Sequence, residues 1–218
     1  MPRALALPIA LLVVLLAGCG GGSGDESAAT TGSSGCTAVD VPQARKDGGA
    51  SKPNGKLSAD VTYALTFNTN CGDFTVTLDQ TAAPATTASV VSLAKQGFYD
   101  DTIIHRVSPQ FVIQGGDPTQ SGSGGPGYET VDAPAADAKY THGVVAMAKT
   151  ADQAPGTSGS QFFVVTADDA QLPPDYAIVG EVTAGLDVVD RIGEIPSDPA
   201  TEVPGESIVV TSVTVTES

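Results

Sequence analysis

The sequence predicts a mainly β fold, a sandwich or a barrel, carrying two helices. Two observations predict it. About eight short runs rich in β-branched and aromatic residues recur between residues 61 and 217, punctuated by turns rich in Gly, Pro, Asn and Asp. Two stretches interrupt them with helical spacing and helical start and stop signals. Closure into a barrel would leave no exposed strand edge. No internal repeat is visible.

The elements follow in chain order. "VTYALTF" (61–67) and "DFTVTLD" (73–79) read as strands, and in the second Phe74, Val76 and Leu78 alternate with Thr75, Thr77 and Asp79. "NTNCG" (68–72) is turn chemistry, so the pair forms a hairpin. "APATTASVVSLAKQG" (83–97) predicts a helix: Pro84 suits the first turn, Val90, Val91 and Ala94 share a stripe, and Gly97 suits the stop. Strands are expected at 102–107, 111–115, 143–148, 161–166 and 177–182. "GLDVVDRIG" (185–193) predicts a second helix and "SIVVTSVTVTE" (207–217) a last strand.

The chain opens "MPRALALPIALLVVLLAGC", with Arg3 ahead of an apolar stretch from Ala4 to Leu16. That stretch is shorter than the roughly 20 residues a membrane span needs, and it has the shape of a secretory signal. Its end, Leu16 to Cys19, resembles the bacterial lipobox. The resemblance implies a signal peptide over 1–18, a lipid on Cys19 and an exported protein anchored to the outer face of the cell membrane. Residues 19–35 then form a Gly/Ser-rich tether, 36–59 an irregular lead-in, and 60–218 the folded domain. The lead-in holds four of the ten basic residues, Arg45, Lys46, Lys52 and Lys56. Export makes a disulfide between Cys36 and Cys71 the expectation. Neither cysteine has a basic neighbour in sequence to activate a free thiol.

Charge and missing motifs exclude several functions. With 25 acidic and 10 basic residues the formal charge is −15, so no basic surface exists to bind nucleic acid. His105 and His142 have no second histidine or cysteine at ligand spacing, so no metal centre is expected. "GTSGS" (156–160) and "SGSGG" (121–125) lack the glycine spacing of a nucleophile elbow. "SGSGGPG" lacks the ending of a phosphate loop. No cofactor is expected, and a monomer is.

What remains is "IIHRVSPQFVIQGGD" (103–117). Of the five basic residues in 60–218, Arg106 alone lies in a strongly apolar strand run. It must pair with a carboxylate or face a site, and spacing alone leaves both open. Side chains two apart on a strand share a face, which groups Phe111 with Ile113 and Val112 with Gln114. Gly115 and Gly116 leave room for a close backbone approach. In "GSQFFVVT" (159–166), Gln161 and Phe163 share a face. Two strands thus each offer an amide beside an apolar ring, a surface able to hold a peptide.

"GFYDDTIIHRV", "FVIQGGD", "GSGGPGY", "HGVVAMA" and "GSQFFVVT" resemble, in order and at familiar spacing, the landmarks of the cyclophilins, the peptidyl-prolyl cis–trans isomerases of that fold. The likeness covers residues 60–217. It implies a closed eight-stranded antiparallel β-barrel capped by two α-helices. It implies binding of proline-containing polypeptides, with Arg106 as catalytic arginine and Phe111, Val112, Phe163 and Leu172 as walls of the proline pocket. Val112 stands where methionine is more usual. The same resemblance puts Gln114 on substrate backbone near the arginine, and Gly122, Ala148 and Gln161 in the adjoining subsite for residues before the proline. Tyr176 aligns with a pocket histidine, Lys149 with a common asparagine, and Gln171 with a frequent tryptophan, which implies weak binding of cyclosporin. His105, Met147 and Phe162 read as scaffold and core. Two alternatives stay open at this level: a module that binds proline segments without turnover, and a non-catalytic extracytoplasmic chaperone.

Overall fold

The computed structural model describes residues 34–218; the signal peptide expected over 1–18, the lipid site expected at Cys19 and most of the expected tether lie outside the described residues. Ten strands and two helices follow one another: β1 (Tyr63–Thr69), β2 (Gly72–Leu78), α1 (Pro84–Lys95), β3 (Thr102–Ser108), β4 (Val112–Gly115), β5 (Thr130–Val131), β6 (Val144–Met147), β7 (Thr157–Ser158), β8 (Phe162–Val165), β9 (Ile178–Ala184), α2 (Leu186–Gly193) and β10 (Val209–Glu217). Eight of the strands close into a barrel in the order β1-β10-β3-β4-β8-β6-β9-β2, and every pairing is antiparallel. Among the two forms the sequence allowed, the barrel is the one adopted. β5 and β7 pair separately as a two-stranded ribbon. No helix among the described residues is long and apolar enough to cross a membrane.

Alternation explains the hairpin. Phe74, Val76 and Leu78 are buried, while Thr75 and Thr77 between them are half-buried on the outer face. Inside the barrel Phe67 stacks on Phe74 with ring centroids 4.8 Å apart and meets Phe162 at 5.0 Å. Such aromatic pairs add to what area burial contributes. α1 packs against β1 and β10, and α2 against β2, β3 and β4. α1 has no side-chain cap of its own; instead the distant Asp132 accepts the Thr86 N–H at 2.7 Å.

The lead-in adds no helix and no named strand, yet it is fixed to the domain. Cys36 and Cys71 are bonded, and both are buried. Thr37 N–H donates to the Asn70 carbonyl at 2.8 Å, and Asn70 returns its side-chain amide to the Thr37 carbonyl. Further on, Arg45 N–H meets the Pro118 carbonyl, Gly48 N–H the Gly125 carbonyl and Ala50 N–H the Pro126 carbonyl. The segment therefore lies as a strap along the loop that follows β4.

Candidate active site

Arg106 owes its position to one irregularity. On β3, Ile104 faces Gly115 of β4, but the next pair is Arg106 with Gln114. Two residues of β3 are thus spent against one of β4, a bulge centred on His105. Strict alternation would put Ile104 and Arg106 on the same face. The bulge reverses the phase instead. Ile104 and Val107, three apart, are both fully buried inside the barrel, and Arg106 emerges outside with its side chain 31 % exposed.

The arginine pairs with a carboxylate and also borders an open cavity. Its Nε donates to Oε2 of Glu202, and its Nη1 donates to Oε1 of Gln114 at 3.1 Å. Nη2 has no protein hydrogen bond among the described residues. The guanidinium also lies 5.9 Å from the centre of the Phe111 ring. Glu202 sits in the loop before β10 with a left-handed φ of 57°, and its second oxygen accepts the Ser108 hydroxyl at 2.6 Å. Its carbonyl accepts the Val107 N–H at 2.9 Å. The Ser108 and Arg106 hydrogen bonds hold the Glu202 carboxyl below the usual carboxylate range. Sequence reasoning missed Glu202, which lies 96 residues from its partner.

Arg106 opens onto a cavity of about 130 Å³ lined by Phe111, Val112, Gln114, Ala148, Lys149, Phe163, Leu172 and Tyr176. The wall is a second apolar cluster on the outside of the barrel. Val112, Tyr140, Ala146, Phe163 and Val165 form its buried base. Tyr176 stands edge-on to Phe163 at 5.5 Å and to Tyr140 at 6.0 Å, and the Tyr140 hydroxyl donates to the Tyr176 carbonyl at 2.8 Å. Phe111 departs from simple alternation. It does not share the inward face of Ile113 but lines the cavity with Val112. The reason is that β4 begins only at Val112, and Phe111 ends a turn whose N–H bonds back to the Ser108 carbonyl, with Gln110 at φ 56°.

A larger cavity of about 550 Å³ adjoins the first, and Gln114, Ala148 and Lys149 line both. Gly122 and Gln161 line the larger one, together with Asp47, Glu129 and the 122–129 loop. A polar chain runs along the boundary: Gln114 Nε2 donates to Gln161 Oε1 at 3.0 Å, and Gln161 Nε2 donates to the Gly124 carbonyl at 2.9 Å. The loop is held by Asp117, fully buried, which accepts the N–H groups of Thr119, Gly122 and Gly124. Burial opposes ionisation of Asp117, but the bonds from Thr119, Gly124 and Gly122 outweigh it and lower its pKa. Gly124 is required here, since a Cβ would lie 2.3 Å from the Asp117 carboxylate. Gly116 is required for the close approach expected of it: a Cβ would lie 2.5 Å from the Ser160 carbonyl oxygen.

The remaining residues take distinct places. Both ring nitrogens of His105 are buried without a hydrogen-bond partner among the described residues, and burial lowers its pKa, so it is neutral at neutral pH. Met147 and Phe162 are in the barrel core. His142 pairs with Asp190 on the surface at 2.6 Å. Gln171 is exposed and lines neither cavity.

Residues 64–215 match the family model for cyclophilin type peptidyl-prolyl cis-trans isomerase/CLD. The chain belongs to the cyclophilin family. Peptidyl-prolyl cis-trans isomerase B of Streptomyces anulatus is 39% identical over 175 residues, which span 72% of this chain and 98% of that protein. Probable peptidyl-prolyl cis-trans isomerase B of Mycobacterium leprae is 39% identical over 178 residues, 71% of this chain and 59% of that one. Among solved structures, a cyclophilin-type isomerase of Cryptosporidium parvum in the presence of the dipeptide Ala-Pro superposes with a TM-score of 0.65 at 30% identity, over 70% of this chain and 98% of that one. With this membership comes the enzyme class: this cyclophilin is a peptidyl-prolyl cis–trans isomerase.

Proposed function

We propose that Arg106 catalyses isomerisation by stabilising the twisted prolyl amide, and that the enzyme serves exported chains from a lipid anchor on Cys19. The observation that carries the first part is the pairing of a fixed guanidinium with an open apolar cavity. A peptide bond resists rotation by about 18–20 kcal/mol because the nitrogen lone pair is shared with the carbonyl. At the twisted midpoint the lone pair returns to nitrogen. A donor aimed at that nitrogen therefore stabilises the transition state more than either planar state.

Each residue then has a task. Phe111, Val112, Phe163, Leu172 and Tyr176 hold the proline ring. Arg106 donates from Nη2, while Glu202 and Gln114 keep its other nitrogens in place. A guanidinium stays charged and directional, so no proton is transferred. Gln114, Gln161, Ala148 and Gly122 hold the backbone before the proline. A contribution of about 7 kcal/mol would give about 10⁵-fold acceleration. Arg106→Ala is expected to lower kcat/KM by about 10²–10³-fold, the range for losing one transition-state donor, with an unchanged circular dichroism spectrum. Undiminished turnover of a proline peptide by the variant would defeat the assignment.

The export reading is supported by the signal-like amino terminus and by a disulfide suited to an oxidising compartment. Cys19→Ser is expected to move the protein from the membrane fraction to the soluble fraction; a variant that stays with the membrane refutes the anchor.

A further inference from the structure

The larger cavity carries a charge pattern that neither the barrel nor the rotation of a prolyl bond requires. Its charged lining residues among those described are Asp47, Glu129 and Lys149. The lysine is spent. Its side chain is 2% exposed, paired with Asp175 at 2.6 Å, and its Nζ also donates to the carbonyls of Thr150 and Gln153. The two acids are exposed, and neither forms a salt bridge among the described residues. Asp47 Oδ1 accepts the Gly125 N–H at 2.7 Å, and Glu129 Oε1 accepts the Gln153 amide at 2.6 Å. Lys52 comes near, but its Nζ is turned to the Glu129 carbonyl at 2.7 Å and to the Tyr128 ring.

Asp47 belongs to the strap, and the strap is what brings it here. Gly48 N–H bonds the Gly125 carbonyl at 2.9 Å, and a Cβ on Gly127 would lie 3.1 Å from Gly48 Cα. The position of Asp47 is therefore fixed from both sides. We propose that Asp47 and Glu129 make the larger cavity a selectivity site for a cationic side chain, lysine or arginine, upstream of the proline in the substrate. The inference rests on the reading that the proline ring fills the smaller cavity. The shared wall of Gln114, Ala148 and Lys149 then leads the preceding residues into the larger one. The attraction acts on bound ground state and transition state alike, so it appears in KM rather than kcat.

The test uses proline peptides carrying Lys, Gln or Glu at each of the three positions before the proline. Turnover is followed, and binding is measured in parallel by fluorescence. Lys is expected to exceed Glu in kcat/KM by about fivefold at one or more positions, the scale of exposed ion pairs. The preference should reside in KM and shrink toward unity at about 0.5 M salt. The double variant Asp47→Asn with Glu129→Gln keeps an acceptor for Gly125 and for Gln153, and should erase the preference. Asp60→Asn with Asp137→Asn removes the same total charge away from the cavity, and should keep it. Equal use of Lys and Glu at all three positions overturns the proposal. So does a preference that survives the cavity variant or is lost equally in the control. Failure of the Gln peptides to turn over would defeat the isomerase mechanism instead, and the binding ratio of Lys to Glu would still decide the selectivity.

Discussion

The two faces of β8 share one composition and do opposite things. All four residues of Phe162–Val165 are buried. Phe162 and Val164 belong to the barrel interior, with Phe67, Phe74 and Met147. Phe163 and Val165 belong to the outer cluster, with Val112, Tyr140 and Ala146. The inner face is finished: the cavity left among Leu65, Phe67, Met147 and Phe162 is about 10 Å³, room for one water molecule at most. The outer face is left open by about 130 Å³ beside a guanidinium. Apolar residues mark what must leave water, but they do not say whether the chain itself supplies the cover. The difference between core and pocket is a difference in completeness.

Adjacent phenylalanines give the largest test of that contrast. Phe162→Ala empties a filled interior and is expected to cost about 3–5 kcal/mol of unfolding free energy in urea titrations. Phe163→Ala borders space that is already open and rests on Tyr176, so its unfolding cost should be clearly smaller. Its effect belongs to activity: kcat/KM for a proline peptide should fall by about tenfold or more, through lost ring contacts worth about 1.5–3 kcal/mol. Equal stability losses with equal activities would mean that both faces serve only to hold the fold.

The sequence displayed the finished parts of the molecule better than the open ones. The barrel strands and both helices stood within about two residues of their expected bounds, because each carries a period or a stop signal. β5 and β7 were illegible, since two residues cannot show a period. Arg106 and its pocket became legible through five resembling blocks rather than through alternation. Alternation alone would have turned Arg106 inward after Ile104, and it misplaced Phe111, because a bulge at His105 and a turn at Gln110 are invisible to a two-residue rhythm. Glu202 and Asp47 were missed for a common reason. Both lie in polar, irregular segments whose value comes from where the chain returns. A weak signal existed at Glu202: "PSDPATEVPG" (196–205) sets it among turn formers, and Asp198 does accept the N–H groups of Ala200 and Thr201.

The carboxylate behind Arg106 gives the smaller and sharper test. Glu202→Gln leaves one acceptor oxygen where Ser108 and Arg106 now use two, so one of them must face an amide N–H. The guanidinium would keep its charge and lose its fixed direction. We expect kcat to fall by about tenfold with KM nearly unchanged, as for an interaction that matters at the transition state. The ion pair is about a third exposed on both sides, so the melting temperature should move by no more than a few degrees. Acid provides the same test reversibly. The Glu202 pKa is lower in the folded state than in the unfolded chain, first through the Ser108 hydrogen bond and then through Arg106. Its contribution is therefore complete above the ordinary glutamate value of about 4.3, and is lost as pH falls through the lower folded value. His105 adds no limb near neutrality, because burial lowers its pKa and it is already uncharged there. Exchange rates measured by NMR, which need no coupling enzyme, should hold at and above neutrality, and the decline that belongs to Glu202 should come only below the ordinary glutamate value. Glu202→Gln should lack that decline. A decline in that acid range that persists in the variant would show that the carboxylate does not aim the arginine.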